Sequence, residues 1–405
     1  MPYYRRNLYI LSTTIFLTAV SWNQVVPFLP LFMEEMGVSK QSLLTWVGIV
    51  FAFQSVASIF TMPFWGKMGD KYGRKPMAIR AGICLGLIYY AMTFCRNPFQ
   101  LTVLRFLNGA LTGFVPMSMA LIATNTPQDE APKYLATAQT CSAAGQILGP
   151  AIGGLMAGVF GYEGTMWVSG TAVLTSTLLV ALLVREPNKP EITQQTSLLQ
   201  DFAISVRSKV LATIMITVMV FGIYNASISP ILALHLSRIN GASTPVWLSG
   251  LVFSLPPAAL MLTAHRWTRF GQRSGYDRGI HIGLVGAAVT AIVLAFVHNI
   301  WVFAAVFFVS GIFMAAIWPS TSALIVAKVH EEFRGRAYGM HQSATMVGTL
   351  IAPLAATRIG GAYGLPSVFL FVGLVALAGA VAFPMLVRQW HTEPVAAEPL
   401  ASPEP

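Results

Sequence analysis

The chain has 405 residues, of which 55% are hydrophobic and only 10% charged. A soluble domain carries about 25% charge, so the missing charge excludes an ordinary soluble globule and points to a membrane protein. The net charge of +10 does not imply nucleic acid, because Lys and Arg sit in short loops and not on a face interleaved with aromatics.

The chain opens with Tyr3, Tyr4, Arg5, Arg6 and Asn7, followed by an apolar run from Leu8 to Phe32. That run is longer than the h-region of a signal peptide and ends without a small-x-small cleavage site, so it is expected to stay as a first membrane helix. Apolar stretches of the ~20 residues needed to cross a bilayer recur at 8–33, 43–65, 77–95, 99–123, 135–159 and 164–184. They resume at 209–236, 246–265, 279–297, 300–327, 337–359 and 363–387. The pattern predicts an all-α integral membrane protein of twelve helices. Residues 1–186 form a six-helix bundle, 187–208 a cytoplasmic linker and 209–390 a second bundle. The tail, 391–405, is rich in Pro, Ala and Glu and is expected to be disordered.

Basic residues fix the expected orientation. With the N-terminus inside, only Lys40, Arg96, Arg238 and Arg358 fall outside, and Arg105 lies within a helix. Both termini are therefore expected in the cytoplasm. The halves also repeat each other at an offset of 202–203 residues. Pro116 to Ile122 aligns with Pro319 to Ile325, and Gln139, Gly145 and Pro150 align with Gln342, Gly348 and Pro353. Pro27 matches Pro230, and Gly69 to Gly73 matches Gly271 to Gly275.

Between the second and third spans lies Gly66-Lys-Met-Gly-Asp70-Lys71-Tyr-Gly73-Arg74-Lys75-Pro76, read as a charged turn whose three glycines allow a tight reversal. As bare chemistry this is a positive-inside loop. As a pattern, G-x-x-x-D-K-x-G-R-K resembles the signature of the major facilitator superfamily at this place. The second copy is degraded, with Gln272 in place of the aspartate and Thr268 in place of the first glycine. The fifth span holds Gly145-x-x-x-Gly149-Pro150-x-x-Gly153-Gly154. Small residues four apart let helices approach closely, and proline frees a carbonyl and kinks the helix. This run resembles the fifth-helix motif of the antiporter branches, whose helix is expected to lie against its counterpart in the other half. Arg105, followed by Gly109, resembles the fourth-helix motif linked to proton transfer; the bland alternative is a snorkelling cation.

The resemblance covers nearly the whole chain and is to the twelve-helix drug:proton antiporters, among them bacterial multidrug exporters. It implies a secondary transporter of the inner membrane, working by alternating access and conferring antibiotic resistance. The conformational switch is expected at Gly66, Asp70, Gly73, Arg74, Gly145, Gly149 and Pro150. Family relatives place the Asp70 position against the start of helix eleven, here near Ala337, when the cytoplasmic side is closed. Acids are scarce and none is central in a span, so Arg105, Glu34, Asp70 and His341 are the candidates for proton coupling. Cavity walls are expected from Trp22, Asn23, Gln24, Met117, Gln139, Gln146, Tyr224, Asn225, Trp318 and Gln342, which suit an amphipathic or apolar compound.

The sequence carries no enzyme motif, nucleotide loop or metal-ligand spacing. The three cysteines read as small packing residues. No cofactor is therefore expected, and the energy would come from a proton gradient. The expected partners are a small-molecule substrate, protons and the bilayer, with no nucleic acid, for a monomer. The same scaffold also exports metabolites, sugars or siderophores, or flips lipids. A channel would need a ring of filter carbonyls or charges.

Overall fold

The computed structural model describes residues 2–127, 130–187, 208–241, 244–329 and 331–392, with backbone only at 331–336 and 391–392. All described secondary structure is helical. Helix α1 (Tyr3–Glu35) carries one 3-10 turn at Val26–Phe28, where Pro27 and Pro30 withhold amide donors. It is followed by α2 (Lys40–Tyr72), α3 (Arg74–Thr93) and α4 (Pro98–Asn125). The continuous stretch Ala131–Leu183 is broken at Gly161, whose φ of 71° no helix can accommodate, into α5 (131–160) and α6 (162–183). The second half holds α7 (Lys209–Asn240), α8 (Val246–Ser274), α9 (Tyr276–Leu294), α10 (Ile300–Lys328), α11 (Glu331–Tyr363) and α12 (Pro366–Arg388). Among the described residues, ten stretches are long and apolar enough to cross a membrane. One of them is the α5–α6 pair, so with α11 the count is the expected twelve. Large apolar side chains on the outside, such as Phe60, Val159 and Leu182, face what must be lipid.

The internal repeat reappears as repeated contacts. The Trp65 indole donates to the Ala110 carbonyl at 2.7 Å, and Trp267 donates to the Ile312 carbonyl at the same distance. Gly109 lets α4 lie on the backbone of α2 at Gln54 and against Ala57, and Gly311 lets α10 lie on Pro256 and Ala259 of α8. Asn97 caps α4 and Asn299 caps α10, each accepting amide protons of the first turn.

The bundle has two ends, named here by residues that mark them. Loops at Lys40, Arg96, Gly161 and Arg238 make the Lys40 end; the termini and the α2–α3 junction make the Asp70 end. The closest approaches between halves lie toward the Lys40 end. Gly48 of α2 fits against the Pro353 carbonyl and Thr357 of α11. Its repeat mate Gly250, in α8, fits against the Pro150 carbonyl and Gly154 of α5. The last turns of α1 meet α7, and Phe28 lies 6.5 Å from Phe253 between ring centroids.

Two expectations change, and a third lies outside what is described. The stretch from Gly66 to Pro76 is not a loop: α2 runs to Tyr72 and α3 starts at Arg74, leaving Gly73 (φ 104°) as the whole turn. Helix α5 packs on α1 and α8, not on its counterpart α11, because Gly154 and Gly250 are the pair small enough to touch. Of the expected linker and tail, 188–207 and 393–405 lie outside the described residues.

Candidate functional site

The turn at Gly73 is anchored from three directions. Arg74 donates to Asp70 at 3.3 Å, one helical turn back, and to the Ala120 carbonyl at 2.6 Å in α4. Glu186, just past α6, accepts the backbone N–H of Arg74 at 2.7 Å and of Lys75 at 2.9 Å. These are unpaired donors at the start of α3, where a carboxylate is also favoured by the helix dipole. Lys75 reaches back to the Ala181 carbonyl at 2.8 Å, and Asn7 exchanges two hydrogen bonds with the backbone of Arg185. The end of α6 is thus tied both to α1 and to the turn. Gly69 is packed by Met117, whereas a Cβ at Gly66 would meet open space among the described residues. Asp70 keeps 42% of its side chain exposed and its partner is Arg74.

Between the halves, on the Asp70 side of their close contacts, lies a cavity of about 400 Å³. Trp22 and Asn23 of α1, Gln54 and Ser58 of α2, the break at Thr112–Pro116 in α4, and Ser142 and Gln146 of α5 form its wall. Helix α11 adds Met346 and Thr349. Gln139 and Gln342 are exposed one turn nearer the Asp70 end, on the same helix faces as Ser142 and Met346. Both helices therefore carry polar side chains outward along the mouth, and the cavity opens toward that end.

The other expected cavity residues sit elsewhere. Gln24 is buried and donates to the Ser169 hydroxyl, tying α1 to α6. Met117 is buried beneath Gly69. Tyr224 is 4% exposed within the core of the second half, so its ring cannot line the cavity. Trp318 packs between Phe221 and His341, with centroids at 5.5 and 4.7 Å. Asn225 is exposed on α7 and donates to the Phe221 carbonyl.

Among the coupling candidates, Glu34 is exposed at the Lys40 end and Asp70 partly exposed at the other. His341 is buried, 3.0 Å from the Thr321 hydroxyl. Arg105 is 2% exposed, with its guanidinium carbon 5.8 Å from the Trp22 ring and 5.5 Å from Phe51. Its Nε and Nη1 are buried without a partner, as are both amide atoms of Asn108 one turn on and the Tyr89 hydroxyl. Phe307, at the repeat position, is an ordinary core residue.

Sequence reasoning missed Glu186, the Asn7–Arg185 tie and the hydroxyl wall of α2. Glu186 lies more than a hundred residues from the amides it caps, and no local spacing announces it. The Gly48–Gly250 pair was within reach, since the two match at the repeat offset.

A helical bundle built as two repeated halves around one cavity is the architecture of a secondary transporter. The chain matches the Major Facilitator Superfamily profile over residues 11–264 and 210–404, and it belongs to that superfamily of membrane transporters. It is 31% identical over 377 residues to multidrug resistance protein MdtG of Escherichia fergusonii, covering 92% of each chain. It is 32% identical over 383 residues to MdtG of Serratia proteamaculans, covering 93% of each. Among solved structures, the nucleoside transporter NupG superposes with a TM-score of 0.79 at 16% identity, covering 94% of this chain and 99% of that one. A bacterial homologue of the lysosomal transporter Spinster, inward-facing and occupied, gives 0.82 at 12% identity, covering 98% and 100%. At those identities the two structures speak for the fold alone.

Proposed function

We propose that the chain is a proton-driven exporter of small amphipathic compounds, acting as a monomer in a bacterial inner membrane with both termini cytoplasmic. The observation that carries this is the uncharged cavity between the two halves, in a chain with MdtG relatives over more than 90% of its length. The distribution of Lys and Arg puts the Asp70 end in the cytoplasm, so the present conformation is inward-open and ready to load. Substrate enters among the apolar and hydroxyl side chains of the wall. The halves then rock about the paired contacts at Gly48 and Gly250, closing the Asp70 end and parting the Lys40 end. Such a change needs only a differential affinity between two states a few kcal/mol apart.

In the closed-in state Asp70 leaves Arg74 for the N-terminus of α11, where the dipole favours a carboxylate by about 0.3–1 kcal/mol. Here it is paired with Arg74. Arg105 is the coupling cation: its unpaired buried donors call for water or another acceptor, and its charge responds to protons moving near it. Glu34, Asp70 and His341 are the further candidates for carrying the coupled proton. Because the chain has no nucleotide loop, the gradient is the energy source.

Purified protein in proteoliposomes, with an imposed pH gradient and a panel of amphiphilic drugs and lipids, tests the reading. Accumulation of amphiphiles against their gradient, abolished by a protonophore, is expected. Gradient-independent equilibration would mark a channel, and uptake of a single metabolite alone would mark a dedicated carrier.

A further inference from the structure

We infer that the cavity takes uncharged amphiphiles bearing hydroxyl or amide donors and rejects permanent cations. The inference rests on the export reading, because it treats this cavity as the substrate site. Among the described residues that line it, none carries a charge. Beside the amides of Asn23, Gln54 and Gln146, the wall offers hydroxyl lone pairs. The Ser58 hydroxyl spends its proton on the Gly109 carbonyl at 3.2 Å, and Ser55 spends its own on the Phe51 carbonyl at 3.4 Å. Each oxygen is left as an acceptor on the cavity side, which a ligand's O–H or N–H satisfies.

The charge that matters lies behind the wall. Trp22 lines the cavity and also lies against Arg105, so the guanidinium sits one side-chain layer away. Arginine stays protonated when buried. The ion pairs among the described residues are Arg5–Glu130 and Arg74–Asp70, and neither involves Arg105. Asn108, one turn on, and Tyr89, whose buried polar atoms likewise lack a partner among the described residues, are neutral. A bound cation would therefore meet an uncompensated positive field through an apolar partition. Like charges about 12 Å apart at an effective dielectric of about 20 repel by an amount equal to roughly tenfold in affinity. A neutral ligand is spared that penalty.

The test is equilibrium binding to the full-length protein in nanodiscs with two probes of matched size, neutral triphenylmethanol and the cation methyltriphenylphosphonium. The neutral probe is expected to bind about tenfold tighter. Arg105→Leu should raise the affinity of the cation about tenfold and leave that of triphenylmethanol within about threefold. If Arg105→Leu does not fold, Ser142→Asp places a carboxylate on the wall instead, and the same gain for the cation is expected. Equal or tighter binding of the cation to the unaltered protein would overturn the inference and leave the export reading standing. Binding of neither probe would overturn both.

Discussion

Removing the Glu186 carboxylate should loosen the Gly73 turn without touching the cavity. Its two oxygens hold the first two amides of α3 at 2.7 and 2.9 Å. A fully buried hydrogen bond to a charged group is worth about 1.5–3 kcal/mol. Glu186 is half-buried, so water replaces part of what is lost, and the cost resembles that of losing an N-cap, about 0.5–2 kcal/mol. The dipole term adds a few tenths. Glu186→Ala should therefore cost about 1–2 kcal/mol locally, a factor of about 5–30 in the opening equilibrium. Glu186→Gln keeps an acceptor and loses the charge, so it should fall between. Hydrogen exchange of a peptide spanning residues 66–82 reads this directly, because Arg74 and Lys75 supply the amides that open. Faster exchange there, with α9 unchanged, is the expected result. Unaltered protection of the first turn of α3 in Glu186→Ala would refute the reasoning.

Other consequences follow from the same contacts. Gly250→Leu pushes a side chain into the Pro150 carbonyl of α5, an overpacking worth about 1–3 kcal/mol. It should part the Lys40 end, so a cysteine at Asn23 becomes reactive to an impermeant reagent added outside; unchanged reactivity would contradict the hinge. Asp70→Asn should hold the protein inward-open and slow turnover, while Gln272→Ala, at the uncharged copy, does little; equal effects of the two on turnover would speak against a one-sided latch. Single cysteines at Lys40 and Arg238 should label from outside intact cells and one at Lys71 only after permeabilisation, and the reverse pattern would invert the assigned orientation.

The helices were legible because crossing a bilayer leaves little freedom: about twenty apolar residues in a row have few other uses. The repeat was legible at Pro150 and Pro353, helix-interior prolines that stand at matching positions of the two halves. The Gly66–Pro76 stretch was read wrongly in its shape. Lys67, Asp70 and Lys71 look like loop by polarity, but a helix end that leaves the membrane is polar too, so composition could not separate them. The cavity was half legible. Trp22, Asn23 and Gln146 line it, whereas Tyr224, at the repeat position of Trp22, turns into the core. One-dimensional spacing gives the helix a residue sits on; which way that helix is rotated depends on close contacts such as Gly149 against α1. Glu186 was illegible for a different reason, since its partners are brought to it only by the finished bundle.

Alternating access about the two glycine contacts is the central claim. Spin labels at Lys40 and Arg238 report the outer mouth, and labels at Lys71 and Lys328 report the inner one. Pulsed electron resonance distances from both pairs, measured in nanodiscs as pH is lowered and a transported amphiphile is added, test it most directly. The account predicts reciprocity: the inner distance shortens in the same fraction of molecules in which the outer distance lengthens. Inner and outer distances that stay fixed, or that lengthen together, would contradict it.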